Sequence, residues 1–285
     1  MKKIRGYNSS AKKEKKEKKS FLNFSGIFLS LLCAGFLLAN FLVPYDPSEV
    51  GIAPPFSSPS PNYLFGTDDL GRDLFSRVLY GGRITISMSL LAALTSLVIG
   101  TIWGFAAGIF RGWLDEILMR IADAVMSIPA LLFALVCISG LGANFLTLML
   151  VTGILLAPST ARMARSALLV ENGADYVTAG RAAGLDSWRL VLREILPNIA
   201  SQLLVQFSIN AASAVMLEAT LSFIGLGVQP PSASLGTLIL QGYSKIYNSY
   251  WFVLFPSLVV VLIVLLLNSL AEHTRKSMEF GKSSS

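Results

Sequence analysis

Histidine and cysteine are almost missing from this chain, and charge of either sign is scarce. The one histidine, His273, belongs to no cluster of cysteine, histidine and acidic residues with metal-ligand spacing, so neither a metal centre nor a histidine-activated nucleophile is expected. Cys33 and Cys137 both lie inside apolar runs, which suits packed thiols and not a disulfide. No Gly-x4-Gly-Lys-Ser/Thr string occurs: the nearest, Gly281-Lys282-Ser283, has Lys276 where the first glycine is required. The chain therefore has no means of holding a nucleotide, and no cofactor is expected in it. Charged residues make up 14% against 53% hydrophobic, and the mean hydropathy of +0.62 excludes an ordinary soluble domain and points to a multispanning membrane protein.

The little charge there is lies unevenly. Residues 1–19 hold nine Lys or Arg against two acids, a local +7 that leaves −1 for everything else. Beside an apolar run such a tail fixes orientation against anionic headgroups, so lipid bilayer and not nucleic acid is the expected partner. Residues 21–43 form a 23-residue, predominantly apolar run without charge and with no small-x-small site after it, which suits an uncleaved span better than a signal core. Prolines then cluster over 44–61, and the expected organisation is a basic tail (1–20), a first span (21–43), an external connector (44–83) and a membrane unit over 84–272. Five spans are expected in that unit, near 84–110, 117–140, 143–161, 199–223 and 251–271, with a polar loop over 162–198 and a tail over 273–285. Six spans put both termini on one side, where nineteen Lys and Arg collect against four on the other, so the positive-inside rule places the termini and the polar loop in the cytoplasm.

Within the polar loop the residues read as helix, glycine turn, short helix. Asp186 can cap a helix through Trp188 and Leu196, Gly184 precedes it where positive φ is needed, and Pro197 marks a break before the next apolar run. In the second span Ser96, Gly100, Gly104 and Gly108 repeat at four residues, giving one flat face for close helix packing. On the fifth span Gln202, Gln206, Asn210 and Ser213 fall within about 80° of arc, a stripe that either lines a path or hydrogen-bonds to another helix. Two acids lie in apolar surroundings: Glu218 faces protein or a water-filled path, and Asp123 is placed to pair with Arg120 one turn earlier.

The loop resembles the cytoplasmic coupling loop of ABC-importer permeases, whose pattern is Glu-Ala-Ala, three residues, Gly, then an Ile-x-Leu-Pro ending. Ala179, Gly184 and Leu196-Pro197 fall at the family spacing, while Thr178, Gly180 and Glu194 depart from it. With the topology above, the resemblance widens. Gly66-Thr67-Asp68, Leu70-Gly71-Arg72-Asp73, Ser76-Arg77 and Tyr80-Gly81 look like the external segment of dipeptide, oligopeptide and nickel permeases, in the C-type subunit. Met119-Arg120, Asp123 and Ser127-Ile128-Pro129 match the start of that family's third span, and Leu217-Glu218-Ala219 through Gln229-Pro230-Pro231 match its fifth span and the exit from it. Asn268 to Glu272 depart from it, where the family more often has a Gly-Asp pair.

The resemblance implies an all-α membrane protein of the type I importer permease fold, with six transmembrane helices and a cytoplasmic coupling helix between spans four and five. It also implies a second permease subunit, two ATP-binding subunits, an extracytoplasmic substrate-binding protein, and a bacterial inner-membrane location. ATPase contact would fall to Asp175, Tyr176, Ala179, Ala182, Ala183, Gly184, Leu196 and Pro197. The path would run past Gln202, Gln206, Asn210, Ser213 and Glu218. Peptide, nickel and metal-chelate systems share these motifs, and the exit motif leans toward peptide. A proton-coupled secondary transporter is the alternative from another class, and no inverted repeat supports it.

Overall fold

The structure, a computed structural model, describes residues 35–36, 42–230 and 232–282. The basic tail and most of the expected first span lie outside the described residues.

Nearly everything described is helix. We number α1 Leu74–Phe110, α2 Gly112–Ser127, α3 Ala130–Leu141, α4 Phe145–Glu171, α5 Asp175–Ala182, α6 Ser187–Leu190, α7 Leu196–Leu221, α8 Leu235–Tyr243 and α9 Trp251–Lys282. Among the described residues four helical stretches are long and apolar enough to cross a membrane: α1, α4, the run Trp188–Leu226 containing α7, and α9 over Trp251–Lys276. The pair α2 and α3 supplies a fifth only as a broken span, because the two helices meet at 88°. At Pro129 the chain makes a near right-angled turn, with Ile128 extended and Pro129 at φ −55° and ψ 119° between the helices.

Several boundaries move. The second span starts ten residues before Ile84, since Asp73 caps a helix at Leu74 by accepting the Ser76 N–H at 2.8 Å. At 37 residues, α1 extends about 55 Å, well beyond the apolar slab, and so carries the amphipathic end of the connector as its first turns. Likewise α4 continues to Glu171, with Pro158 inside it.

Pro197 does not break the chain. The helix runs from Trp188 through it to Leu226. A proline lacks the N–H for its own i−4 bond, and here it sits in the first turn of α7, after a π-helical turn at Val191–Ile195. The Leu196 N–H reaches the Val191 carbonyl five residues back, so the ladder changes register without an interruption.

The helix pair α1 and α4 is the spine of the bundle. Its contact is made close by the small residues on both sides. A Cβ built on Gly100 would lie 2.5 Å from the Thr160 Cβ, one on Gly104 2.9 Å from the Arg165 nitrogen, and one on Gly153 of α4 2.7 Å from the Thr95 Cβ. Gly108 meets the Leu168 side chain in the same seam. Around this spine α7 and α9 complete the core through Ile86, Ala93, Ala211, Val215, Ile263 and Leu267.

Candidate functional site

At the N-terminal end of α1 the connector is tied into a compact knot. Asp68, fully buried, accepts the Leu70 N–H at 2.8 Å and the Arg72 N–H at 3.0 Å on one carboxylate oxygen. Its other oxygen accepts Arg72 Nε at 2.6 Å and the buried Arg77 guanidinium. Thr67 Oγ1 donates to the Pro54 carbonyl at 2.7 Å and accepts the Ser57 N–H at 2.9 Å, so the proline-rich strand is stitched to the motif. Gly66 and Gly71 have φ of +78° and +70°, and a side chain on either would overlap the Ser57 or Ala53 carbonyl. Asp73 then caps α1. The motif Gly66, Thr67, Asp68, Gly71, Arg72 and Asp73 is therefore a device that fastens the connector to α1.

Halfway along the bundle three helices share a polar seam. Asn210 Nδ2 on α7 donates at 2.8 Å both to Ser96 Oγ on α1 and to Thr160 Oγ1 on α4, and these two hydroxyls are 3.1 Å apart. Gln206 Nε2 donates to Asn210 Oδ1 at 2.9 Å and to Ser159 Oγ at 3.4 Å. The stripe expected on the fifth span accordingly divides. Asn210 is buried and packs helix to helix, whereas Gln202, Gln206 and Ser213 are half-buried. Ser96, expected only as a small packing residue, is also a hydrogen-bond partner.

Glu218 does not open onto a path in this chain. It is fully buried, accepting Thr85 Oγ1 at 2.9 Å and Ser222 Oγ at 2.6 Å. Ser234, which caps α8, donates to Ser222 Oγ at 3.2 Å, and the Leu235 N–H donates to Thr85 Oγ1 at 3.1 Å. One carboxylate thus gathers α1, the end of α7 and the start of α8. Thr85, Ser222 and Ser234 were missed at the sequence level, because isolated hydroxyls on three separate segments show no spacing.

Asp123 pairs with Arg162 of α4, and Arg120 takes Glu116 at 2.5 Å instead. Asp115 and Arg165 form a second α2 to α4 pair through two 2.6 Å bonds. Two ion pairs thus join α4 to α2, a helix that buries only Ala122.

At the C-terminal end of α1 lies the hairpin formed by α5 and α6. Val177, Leu190, Val191 and Ile195 are buried against Phe105, Ala164, Leu168 and Ile199. Gly180 lets α5 close on α6, since a Cβ there would meet Leu190 Cδ1 at 2.7 Å. Gly184 joins the two with φ +81° in open space, a left-handed turn that other residues strain to adopt. Asp175, Ala179, Ala182 and Ala183 are exposed along α5, and Leu196 and Pro197 carry α6 into α7. Tyr176 donates to Glu171 at 2.6 Å, and partial burial followed by that bond raises its pKa, keeping it a neutral phenol. Leu185, Trp188 and Leu192 are exposed at 43%, 56% and 43%, an apolar patch on an otherwise polar loop that helical spacing of 185, 188 and 192 could have flagged.

A family model for the binding-protein-dependent transport system inner membrane component matches residues 96–279. The chain belongs to that family. The dipeptide transport system permease protein of Haemophilus influenzae is 34% identical over 89% of this chain and 88% of its own length. The glutathione transport system permease protein of Pectobacterium atrosepticum is 33% identical over 90% and 85%, and the di/tripeptide permease of Pseudomonas aeruginosa 34% over 89% and 86%. Among solved structures, a chain of the MetNI methionine ABC transporter in an inward-facing conformation superposes with a TM-score of 0.60, covering 71% of this chain and 97% of that one, at 20% identity. The fold is thus that of an importer permease, and the chain is a multi-pass membrane subunit. Among the described residues no group of three or more Cys, His, Asp or Glu could hold a metal ion.

Proposed function

We propose that this permease carries di- or oligopeptides across the bacterial inner membrane as the C-type half of a permease pair driven by two ATPase subunits and fed by an external binding protein. The observation that carries the substrate class is the agreement of relatives named for dipeptide, di/tripeptide and glutathione transport, each aligned over nearly their full length. The hairpin is the element suited to receive the ATPase. It is rooted by four buried apolar side chains, so it moves with α1, α4 and α7, while Leu185, Trp188 and Leu192 offer apolar surface beside a shallow alanine face. ATP hydrolysis belongs to the partners, and closure of the ATPase pair shifts the bundle between inward-open and outward-open populations. The connector knot faces outward and the hairpin the cytoplasm, an orientation supported by the nineteen to four division of Lys and Arg. Gln202, Gln206 and Ser213 provide neutral polar groups along the path between the two permeases.

The test is uptake by the reconstituted assembly. Labelled di- and tripeptides are transported in an ATP-dependent manner and nickel is not; nickel uptake without peptide uptake would refute the substrate class. Ala182→Trp on the exposed face of α5 leaves the chain inserted and cuts uptake and ATPase stimulation about tenfold or more, the effect of roughly 1.4 kcal/mol at a coupling contact. Normal transport by that variant would remove the hairpin from the coupling role.

A further inference from the structure

Beside the hairpin a cleft of about 240 Å³ is lined by Ile109, Arg111, Asn172, Arg181, Leu190 and Val191. It carries two positive charges and no negative one. Arg181 on α5 donates Nη2 to Asn172 Oδ1 at 2.8 Å, which steadies the guanidinium at the cleft and spends only one of its five N–H groups. Arg111, in the link between α1 and α2, is exposed and has no ion-pair or side-chain hydrogen-bond partner among the described residues. Of the acids near Arg111 in sequence, Asp115 pairs with Arg165 and Glu116 with Arg120, and neither Glu171 nor the hairpin acids Asp175, Asp186 and Glu194 line the cleft.

Two further features place the cleft at a membrane surface. Arg111 directly follows the last residue of an apolar span, Phe110, which is 69% exposed, and Trp113 two residues on is 73% exposed, the type of side chain that sits at headgroup depth. Ile109 and Arg111 line the cleft at the span end, and Arg181, Leu190 and Val191 line it at the hairpin, so each side sets one guanidinium beside apolar surface. Arg111 also holds a left-handed backbone with φ +47°, where glycine would be unstrained, and Gly112 beside it has φ +63°. A large cation kept at such a position is an outlier that asks for a role.

We propose that this cleft binds the phosphate of an anionic phospholipid of the inner leaflet, through Arg111 and Arg181 together, with the acyl chains lying along Ile109, Phe110 and Trp113. Guanidinium groups match phosphate oxygens in pairs, and a basic pocket at the cytoplasmic end of membrane helices suits an anionic headgroup. A choline headgroup is disfavoured, because its own cation would lie near two others. Since Arg181 is on α5 and Arg111 closes α1, the lipid ties the coupling hairpin to the end of a span. This inference rests on the orientation proposed above, which cysteine labelling tests separately.

The experiment uses the complete transporter, purified in detergent and examined by native mass spectrometry with added phosphatidylglycerol or phosphatidylcholine. The wild-type assembly retains phosphatidylglycerol on this subunit under conditions that strip phosphatidylcholine. Arg111→Gly with Arg181→Gln lowers that retention by about tenfold or more. The glycine relieves the left-handed backbone and Arg181 is exposed, so the double variant keeps its fold, which intact assembly mass verifies. Glycerol 3-phosphate at millimolar concentration, having the phosphate without acyl chains, leaves the lipid bound; displacement would assign the cleft to a soluble phosphate and overturn the lipid. Equal phosphatidylglycerol retention by wild type and double variant would overturn the site itself. Detachment of the ATPase from Arg181→Gln with lipid retention unchanged would give that arginine to the ATPase contact, and equally end the proposal.

Discussion

Replacing Asp68 with alanine tests the reading of the connector knot most directly. The carboxylate is fully buried and Arg77, which it faces, is 4% exposed, whereas Arg72 reaches partly into solvent at 16%. In Asp68→Ala the backbone N–H groups of Leu70 and Arg72 regain water at little cost, because Leu70 is exposed and Arg72 half-exposed. Arg77 cannot. A buried charge stripped of its partner costs about 3–5 kcal/mol, so the knot opens roughly a thousandfold more often. The consequence is local, since Phe56 N–H to Asp68 O and Thr67 N–H to Ser57 O hold residues 51–57 only while the loop keeps its shape. Hydrogen exchange on the assembled transporter reads this as a loss of protection of about a thousandfold at Phe56, Thr67 and Leu74, with α4 and α7 unaffected. Removing both charges with Asp68→Leu and Arg77→Met restores most of the protection, because an apolar pair carries no desolvation penalty. Protection in Asp68→Ala within about tenfold of wild type, or no gain from the double change, would refute the claim that this ion pair closes the knot.

Three other outcomes follow from the geometry. Gly104→Leu drives a side chain into the Ala161 carbonyl and the Arg165 nitrogen, so the α1 to α4 seam cannot close and the subunit fails to assemble with its partners; normal assembly on a native gel would contradict the seam. Cysteine at Gln206 reacts with small thiol reagents in a nucleotide-dependent manner, while cysteine at buried Asn210 stays protected in every state, and reaction at both would reopen the reading of Asn210 as a packing residue. Cysteines at exposed Ser58 and Thr178, each in a Cys-free background, divide by side: an impermeant maleimide labels the first from outside intact cells and not the second, and labelling of Thr178 would invert the orientation.

Hydropathy and small-residue spacing made the bundle legible in the sequence because they are local quantities. A run of apolar residues reports a span whatever it packs against, and Gly100, Gly104 and Gly108 report a close helix contact without naming the helix that makes it. The turn at Gly184 was legible for the same reason, because it relaxes backbone within its own turn, whereas the cap at Asp73 went unread and the second span was expected ten residues too late. Pro197 misled because the ordinary rule assumes an unshifted i−4 ladder, and a π turn just before it changed the register.

What only the tertiary structure decided is every partner chosen across helices. Asp123 had Arg120 one turn away, yet it pairs with Arg162, while Arg120 takes Glu116 on its own helix face. Asn210 read equally well as a lining or a packing residue, and Glu218 as a charge facing protein or a water-filled path. Within this chain both are buried and hydrogen-bonded, and their partners could not be read beforehand, because Thr85, Ser222, Ser96 and Thr160 come from segments 50 to 133 residues distant or from a single turn away, and no pattern along the chain links them. A buried polar group must find its hydrogen bonds wherever the fold places donors. Sequence alone thus determined that the chain is built of long apolar helices and that it turns at Gly184, since desolvation and backbone geometry act residue by residue; the helix limits and the identity of each polar contact were left to the packing of one helix on another.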